Sequence, residues 1–104
     1  MCGITGCIVN KELTHNKIKK TLSLMSHRGP DNQSYRLFRF GKKFIYLFHS
    51  RLSIIDLNDR SNQPFSYNSV HLIFNGEIYN FKELKELYLK EFSFKTKSDT
   101  EVLL

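Results

Sequence analysis

Met1-Cys2-Gly3-Ile4-Thr5-Gly6-Cys7-Ile8-Val9 begins the chain, and what Cys2 is taken to be decides the rest. If an aminopeptidase removes Met1, Cys2 carries a thiol and a free α-amine on one residue. A thiol titrates near ~8.5 and an α-amine near ~7.7 to 8.0, so the amine can take the thiol proton as attack occurs. An N-terminal amine can thus activate its own side chain as a nucleophile. A Met-Cys start alone is common and carries no function, so the downstream residues must decide. Residues 2–9 are short, β-branched and Gly-interrupted, a composition that predicts a buried strand approached closely by another backbone or a ligand. Cys2 would then head a core strand.

At 104 residues the chain is one domain at most, with room for a modest core. Sixteen Lys and Arg against ten acids give a formal charge of +6. The lysines are scattered in ones and twos, and Lys19-Lys20 and Lys42-Lys43 fall where a solvated helix face and a hairpin turn would put them. Solubility explains them better than a nucleic-acid partner. No apolar run reaches transmembrane length and no signal-type h-region follows the start, so no membrane is implied and the default compartment is the cytosol. Cys2 and Cys7, on one strand, would face opposite sides about 16 Å apart, beyond disulfide reach. His15, His27, His49 and His71 lack the spacing of a metal site.

Ile18, Leu22 and Met25 recur at helical spacing and predict a helix over about Thr14 to Met25, ended by Ser26-His27-Arg28-Gly29-Pro30-Asp31. Two aromatic-rich runs, 33–40 and 43–50, flank Gly41-Lys42 and predict a β-hairpin whose second strand is interior. Asn58 to Phe65 reads as loop, and Val70 to Phe74 as a strand leading into Asn75-Gly76-Glu77. Asn80 with Glu83 has capping-box spacing, so a helix starts there with Phe81, Leu84, Leu87 and Tyr88 facing the core. Ser98 and Glu101 repeat that spacing and open another helix.

Three further positions carry chemistry. Arg51, at the end of a hydrophobic strand, is expected to need an anionic partner and to grip a carboxylate in bidentate fashion. Asn75 and Gly76, at a strand end, can aim a side-chain amide and a backbone N–H at one spot, as an oxyanion hole requires. Asp99 offers a carboxylate to an ammonium group. Each has a plainer reading, as a structural ion pair, a common turn and a first-turn acid.

The segments MCGI (1–4), SHRGPD (26–31), RLSIIDL (51–57), QPF (63–65), FNGEIYNF (74–81) and SDTEVLL (98–104) together resemble, in order, the N-terminal glutaminase domain of glutamine-hydrolysing asparagine synthetases, a class II, N-terminal-nucleophile amidotransferase. The MCGI and HRG elements are shared with amidotransferases acting on other acceptors, while HRGPD, RLSIIDL and FNGEIYNF favour asparagine synthetase. The resemblance implies an α+β fold of the αββα four-layer type, two antiparallel sheets between helix layers, incomplete in this chain. It implies glutamine as substrate and Cys2 as the nucleophile that forms a γ-glutamyl thioester, with Asn75 and Gly76 as oxyanion donors. Arg51 would hold the substrate carboxylate and Asp99, helped by Glu77, its ammonium group. Backbone groups of Leu52, Ser53, Ile54 and Ile55 would line the pocket, and Arg51→Ala should mainly weaken glutamine binding. His27 and Arg28 are read as loop-fixing.

That domain is normally close to twice as long as this chain and precedes a C-terminal synthetase domain, which uses ATP and Mg²⁺ to activate aspartate and receives the ammonia. The last capped helix barely begins before Leu104, so a truncated, inactive and poorly stable piece with exposed apolar sheet is expected. A homodimer is compatible with the complete protein. The alternatives are a class II amidotransferase with another acceptor, or an inactive basic binding module whose affinity would fall steeply with salt.

Overall fold

The computed structural model describes residues 1–104. Its elements in chain order are Gly3–Val9 (β1), His15–Met25 (α1), Asn32–Phe40 (β2), Lys43–Arg51 (β3), a 3₁₀ turn Asp59–Ser61, Phe65–Tyr67 (β4), Val70–Leu72 (β5), Phe81–Tyr88 (α2) and a 3₁₀ turn Thr100–Leu103. The result is α+β, with every strand pair antiparallel. No helix is long and apolar enough to cross a membrane.

β3 is the centre of a three-stranded sheet ordered β1-β3-β2, as its run of apolar residues on both faces requires. The hairpin to β2 turns at Gly41, whose φ of +57° is a conformation that glycine adopts without steric cost. Phe44, Tyr46 and Phe48 alternate along β3 and meet α1, where Ile18, Leu22 and Met25 form the facing stripe. Thr14 caps α1 by accepting from Lys17 N–H at 3.4 Å, and the Tyr46 hydroxyl accepts from Leu13 N–H at 3.0 Å. The other side chains of β3, His49 and Arg51, are engaged by Phe74 and the 55–62 loop. One strand therefore serves the core on one face and the candidate site on the other.

Burial is weighted towards the polar side. Only Ile18, Tyr46 and Phe48 are fully buried apolar residues, against nine buried polar or charged ones, among them His49, Arg51, Gln63 and Asp99. The densest packing is thus around the segments that carry the motifs.

Several expectations are corrected. β1 is an edge strand rather than a core strand, and on the sheet face away from α1 its Ile4 and Ile8 are 45% and 67% exposed. The predicted strand Val70 to Phe74 pairs only over Val70–Leu72, and its partner is β4, which starts at Phe65, the last residue expected to be loop. Asn80 has φ −95°, ψ 23° and makes no side-chain cap bond. It lies outside the extended region that aims a cap oxygen at the first helical N–H groups, so the Asn80/Glu83 capping box does not form. α2 has no buried residue, and Leu87 and Tyr88 face solvent. At the C-terminal end Ser98 Oγ accepts from Thr100 N–H at 3.2 Å. Glu101, however, reaches back to Lys95 N, Thr96 N and Thr96 Oγ1, and the segment is a single 3₁₀ turn.

Candidate active site

Cys2 lies just ahead of β1, half-buried, with its sulfur beside the backbone of Leu52. Leu52 N–H donates to Sγ at 3.3 Å, and Sγ lies 3.7 Å from Leu52 carbonyl oxygen as a donor. Cys2 and Cys7 are both free thiols. Leu52 is held in turn by the 26–31 loop, because Asp31 N–H donates to Arg51 carbonyl at 3.1 Å and Asp31 Oδ2 accepts from Ser53 N–H at 2.7 Å. Gly29 makes that clamp possible. A Cβ on it would lie 2.3 Å from the Ser50 carbonyl carbon and oxygen and 2.5 Å from Arg51 C, so the loop rests directly on the β3 backbone. Loop fixing thus falls to Gly29 and Asp31. His27 and Arg28, to which it was assigned from sequence, are exposed and make no side-chain hydrogen bond, although Arg28 Cβ packs over Gly3.

Arg51 is buried, and the structure gives it no acidic partner. Nη1 donates to Asn58 carbonyl at 3.1 Å and Asn62 Oδ1 at 2.8 Å. Nη2 donates to Ile55 carbonyl at 3.1 Å and to Asp56 carbonyl. The four terminal N–H groups are therefore spent on neutral oxygens that fold the 51–62 loop around the guanidinium. A bidentate grip through both terminal nitrogens is not open to a ligand in this arrangement, which corrects the expected binding mode. The positive charge itself is not neutralised, and its field reaches His49. Burial, chiefly, and then repulsion from Arg51 lower the His49 pKa from 6.5 to about 4, against the opposing hydrogen bond to Phe74.

Asn75, Gly76 and Glu77 form an exposed arch pinned at both ends. On one side Phe74 N–H donates to Gln63 Oε1 at 2.6 Å, and Phe74 carbonyl lies 3.4 Å from His49 Nε2. On the other, Ile78 N–H donates to Asp99 Oδ2 at 2.8 Å. This is the one side-chain hydrogen bond Asp99 makes, although it is buried.

These segments surround one cavity of about 90 Å³, lined by Met1, Cys2, Arg51, Leu52, Ile54, Ile55, Ser61, Gln63, Phe74, Asn75, Gly76, Glu77, Ser98, Asp99 and Thr100. Every site residue singled out in the sequence is present except Ser53, whose N–H is turned to Asp31. The volume is small beside the ~300 to 1,000 Å³ of a drug-sized site and suits a small polar molecule. Its wall carries a cation at Arg51 and carboxylates at Glu77 and Asp99, complementary to a zwitterion. A larger cavity of about 490 Å³ lies between β4 and the 89–104 segment and is lined by no cysteine. No three His, Cys, Asp or Glu residues are grouped to hold a metal ion. Gln63, Ser61, Phe74, Ser98 and Thr100 were not singled out as site residues in the sequence. Gln63, Phe74, Ser98 and Thr100 lie in the QPF, FNGEIYNF and SDTEVLL segments, and only Ser61 had no signal.

A glutamine amidotransferase domain family matches residues 1–104 of the chain. The chain belongs to that family. Among its relatives, asparagine synthetase (glutamine-hydrolysing) 1 of Bacillus subtilis is 41% identical over all of this chain and 17% of its own length. Asparagine synthetase (glutamine-hydrolysing) 2 of Arabidopsis thaliana is 40% identical over 99% of the chain and 18% of the relative. Amidase chry2 of Gibberella zeae is 33% identical over the whole chain and 17% of the relative. The chain thus spans only 14% to 23% of the length of the curated relatives it matches. As an amidotransferase domain, it presents Cys2 in a pocket whose wall also carries Arg51, Glu77 and Asp99.

Proposed function

We propose that this domain is the glutaminase half of an asparagine-forming amidotransferase. The reading is carried by one observation: Cys2, Arg51, Asn75-Gly76 and Asp99, from four segments far apart in sequence, line a single cavity. Met1 lines it too and is 75% exposed, accessible to the aminopeptidase that would free the Cys2 amine.

In this mechanism the substrate carboxylate sits in the field of Arg51 and its ammonium group against Asp99 and Glu77. Cys2 Sγ attacks the side-chain amide carbon of glutamine while the Cys2 α-amine takes the thiol proton. Leu52 N–H, at 3.3 Å from the sulfur, holds it at the pocket wall. Asn75 Nδ2 and Gly76 N–H receive the oxyanion, and loss of one such donor typically costs about 3 to 4 kcal/mol. The ammonium of Cys2 then protonates the leaving nitrogen, ammonia departs, and water hydrolyses the thioester to glutamate. In the complete protein a C-terminal domain uses ATP to activate aspartate for the released ammonia. The exposed Ile4 and Ile8 face is where a second antiparallel sheet would lie, giving the αββα sandwich.

A second reading is a different acceptor for the same ammonia, because the glutaminase site contains nothing that selects the acceptor. The amidated product formed from supplied acceptors separates the two. For the glutaminase step, the complete protein should hydrolyse glutamine; Cys2→Ala in it should abolish hydrolysis, and so should a form that retains Met1, because the amine is then displaced. Unchanged glutamate release in either variant rules the mechanism out.

A further inference from the structure

Gln63 is 6% exposed and touches both arms of the pocket. Its Oε1 accepts from Phe74 N–H at 2.6 Å, directly before Asn75-Gly76, and its Nε2 donates to Thr100 Oγ1 at 3.4 Å, directly after Asp99. The Gln63 carbonyl accepts from Ser34 Oγ of β2, so the residue is tied to the sheet. A glutamine side chain is one of few that can donate and accept at the same time across such a span. At the Phe74 end of the Asn75–Glu77 arch the other side-chain contact is the longer one, His49 Nε2 at 3.4 Å from the Phe74 carbonyl, against 2.6 Å for Gln63.

We propose that Gln63 is a positioning residue for amide hydrolysis, which fixes the Asn75-Gly76 arch relative to the Cys2 sulfur by holding Phe74. The inference rests on the glutaminase reading. It assigns to Gln63 an effect on the reaction step rather than on substrate capture, because Arg51 keeps its own loop contacts and Asp99 keeps Ile78 without it. A shift of about 1 Å in oxyanion donors can cost on the order of 100-fold in rate.

The test uses the complete protein that carries this domain at its N-terminus, as the parent, and two variants of it. Gln63→Leu keeps the volume and removes both hydrogen bonds, while Gln63→Asn keeps the amide but is one methylene too short to span both partners. Glutamine hydrolysis is measured alongside the rate at which iodoacetamide alkylates Cys2, which needs the sulfur and no oxyanion donor. The expected result is a kcat lowered about 10- to 100-fold in either variant, with KM within threefold and alkylation within twofold of the parent. Should Gln63→Leu fail to fold, Gln63→Asn decides by the same criteria. A parent-like kcat in a folded variant overturns the inference, as does a fall in alkylation that matches the fall in kcat. A parent protein that releases no glutamate sinks the glutaminase reading and this inference together, whereas parent-like turnover in the variants sinks only the latter.

Discussion

Replacing Gly29 with alanine tests how the nucleophile's surroundings are built. The added Cβ would sit 2.3 Å from backbone atoms of Ser50 and 2.5 Å from Arg51 C, and no rotamer change relieves a clash with backbone. Either β3 distorts or the 26–31 loop lifts. Overpacking of this kind costs about 1 to 3 kcal/mol. Lifting the loop also breaks Asp31 N–H to Arg51 carbonyl and Ser53 N–H to the Asp31 carboxylate, worth about 1 and about 1.5 to 3 kcal/mol. Together these give a loss of roughly 3.5 to 7 kcal/mol, a large part of the stability of a small domain. Gly41→Ala is the control. It too is a Gly→Ala change, but nothing lies within 4 Å of its Cβ and only the φ of +57° penalises it, by roughly 1 to 2 kcal/mol. Urea denaturation of the full chain followed by far-UV circular dichroism reads both. Losses of similar size, or a Gly29→Ala loss below about 1 kcal/mol, would refute the claim that the loop rests on the strand backbone.

Arg51→Lys should be nearly as damaging as Arg51→Ala, because three donors on one nitrogen cannot serve the oxygens of Ile55, Asp56, Asn58 and Asn62 that the planar fork reaches. We expect each to cost about 3 kcal/mol or more in chemical denaturation, so the effect exceeds the weakened substrate binding expected from sequence, and a stable Arg51→Lys protein would contradict it. His49 makes stability depend on pH. Its folded pKa is depressed from 6.5 to about 4, so the native state favours the neutral ring. Its contribution is complete above 6.5 and is lost as pH falls from 6.5 towards 4, by about 2 kcal/mol after allowing for solvent screening. Asp56, with hydrogen bonds from Lys97 N–H and then Asn58 lowering its pKa, extends the loss to more acid conditions. Glu101 does the same: burial is the largest single influence and raises its pKa, but the hydrogen bonds from Thr96 and Lys95 outweigh it. Urea midpoints measured between pH 7.5 and 4 check the sign, and a midpoint constant across pH 6.5 to 4 would show His49 is not buried as the neutral ring.

The hairpin at Gly41-Lys42 and the helix capped by Thr14 were legible because local pattern and local chemistry agree there. The Asn80 cap was not, since its spacing is right but its backbone conformation is set by the Asn75–Glu77 arch before it. β4 pairs over three residues only, too few to leave an alternating pattern. In the site, Cys2, Arg51, Asn75, Gly76 and Asp99 could be named from motif order, but nothing local says that they converge. Arg51 was assigned an ion pair because a buried cation usually has one, and its carbonyl nest depends on how residues 55–62 wrap back. Gln63 bridges segments 11 and 37 residues away, a relation with no periodicity to reveal it.

With few fully buried apolar side chains and so many enclosed polar ones, cohesion in this molecule resides at its reactive end. Retuning it towards another amide by altering the enclosed wall would register first as lost folding, whatever the change did to chemistry. Room for evolutionary or engineered variation lies instead on α2, which has no buried residue and contributes nothing to the pocket wall, so that a side chain can be exchanged there without unpicking what holds the chain together.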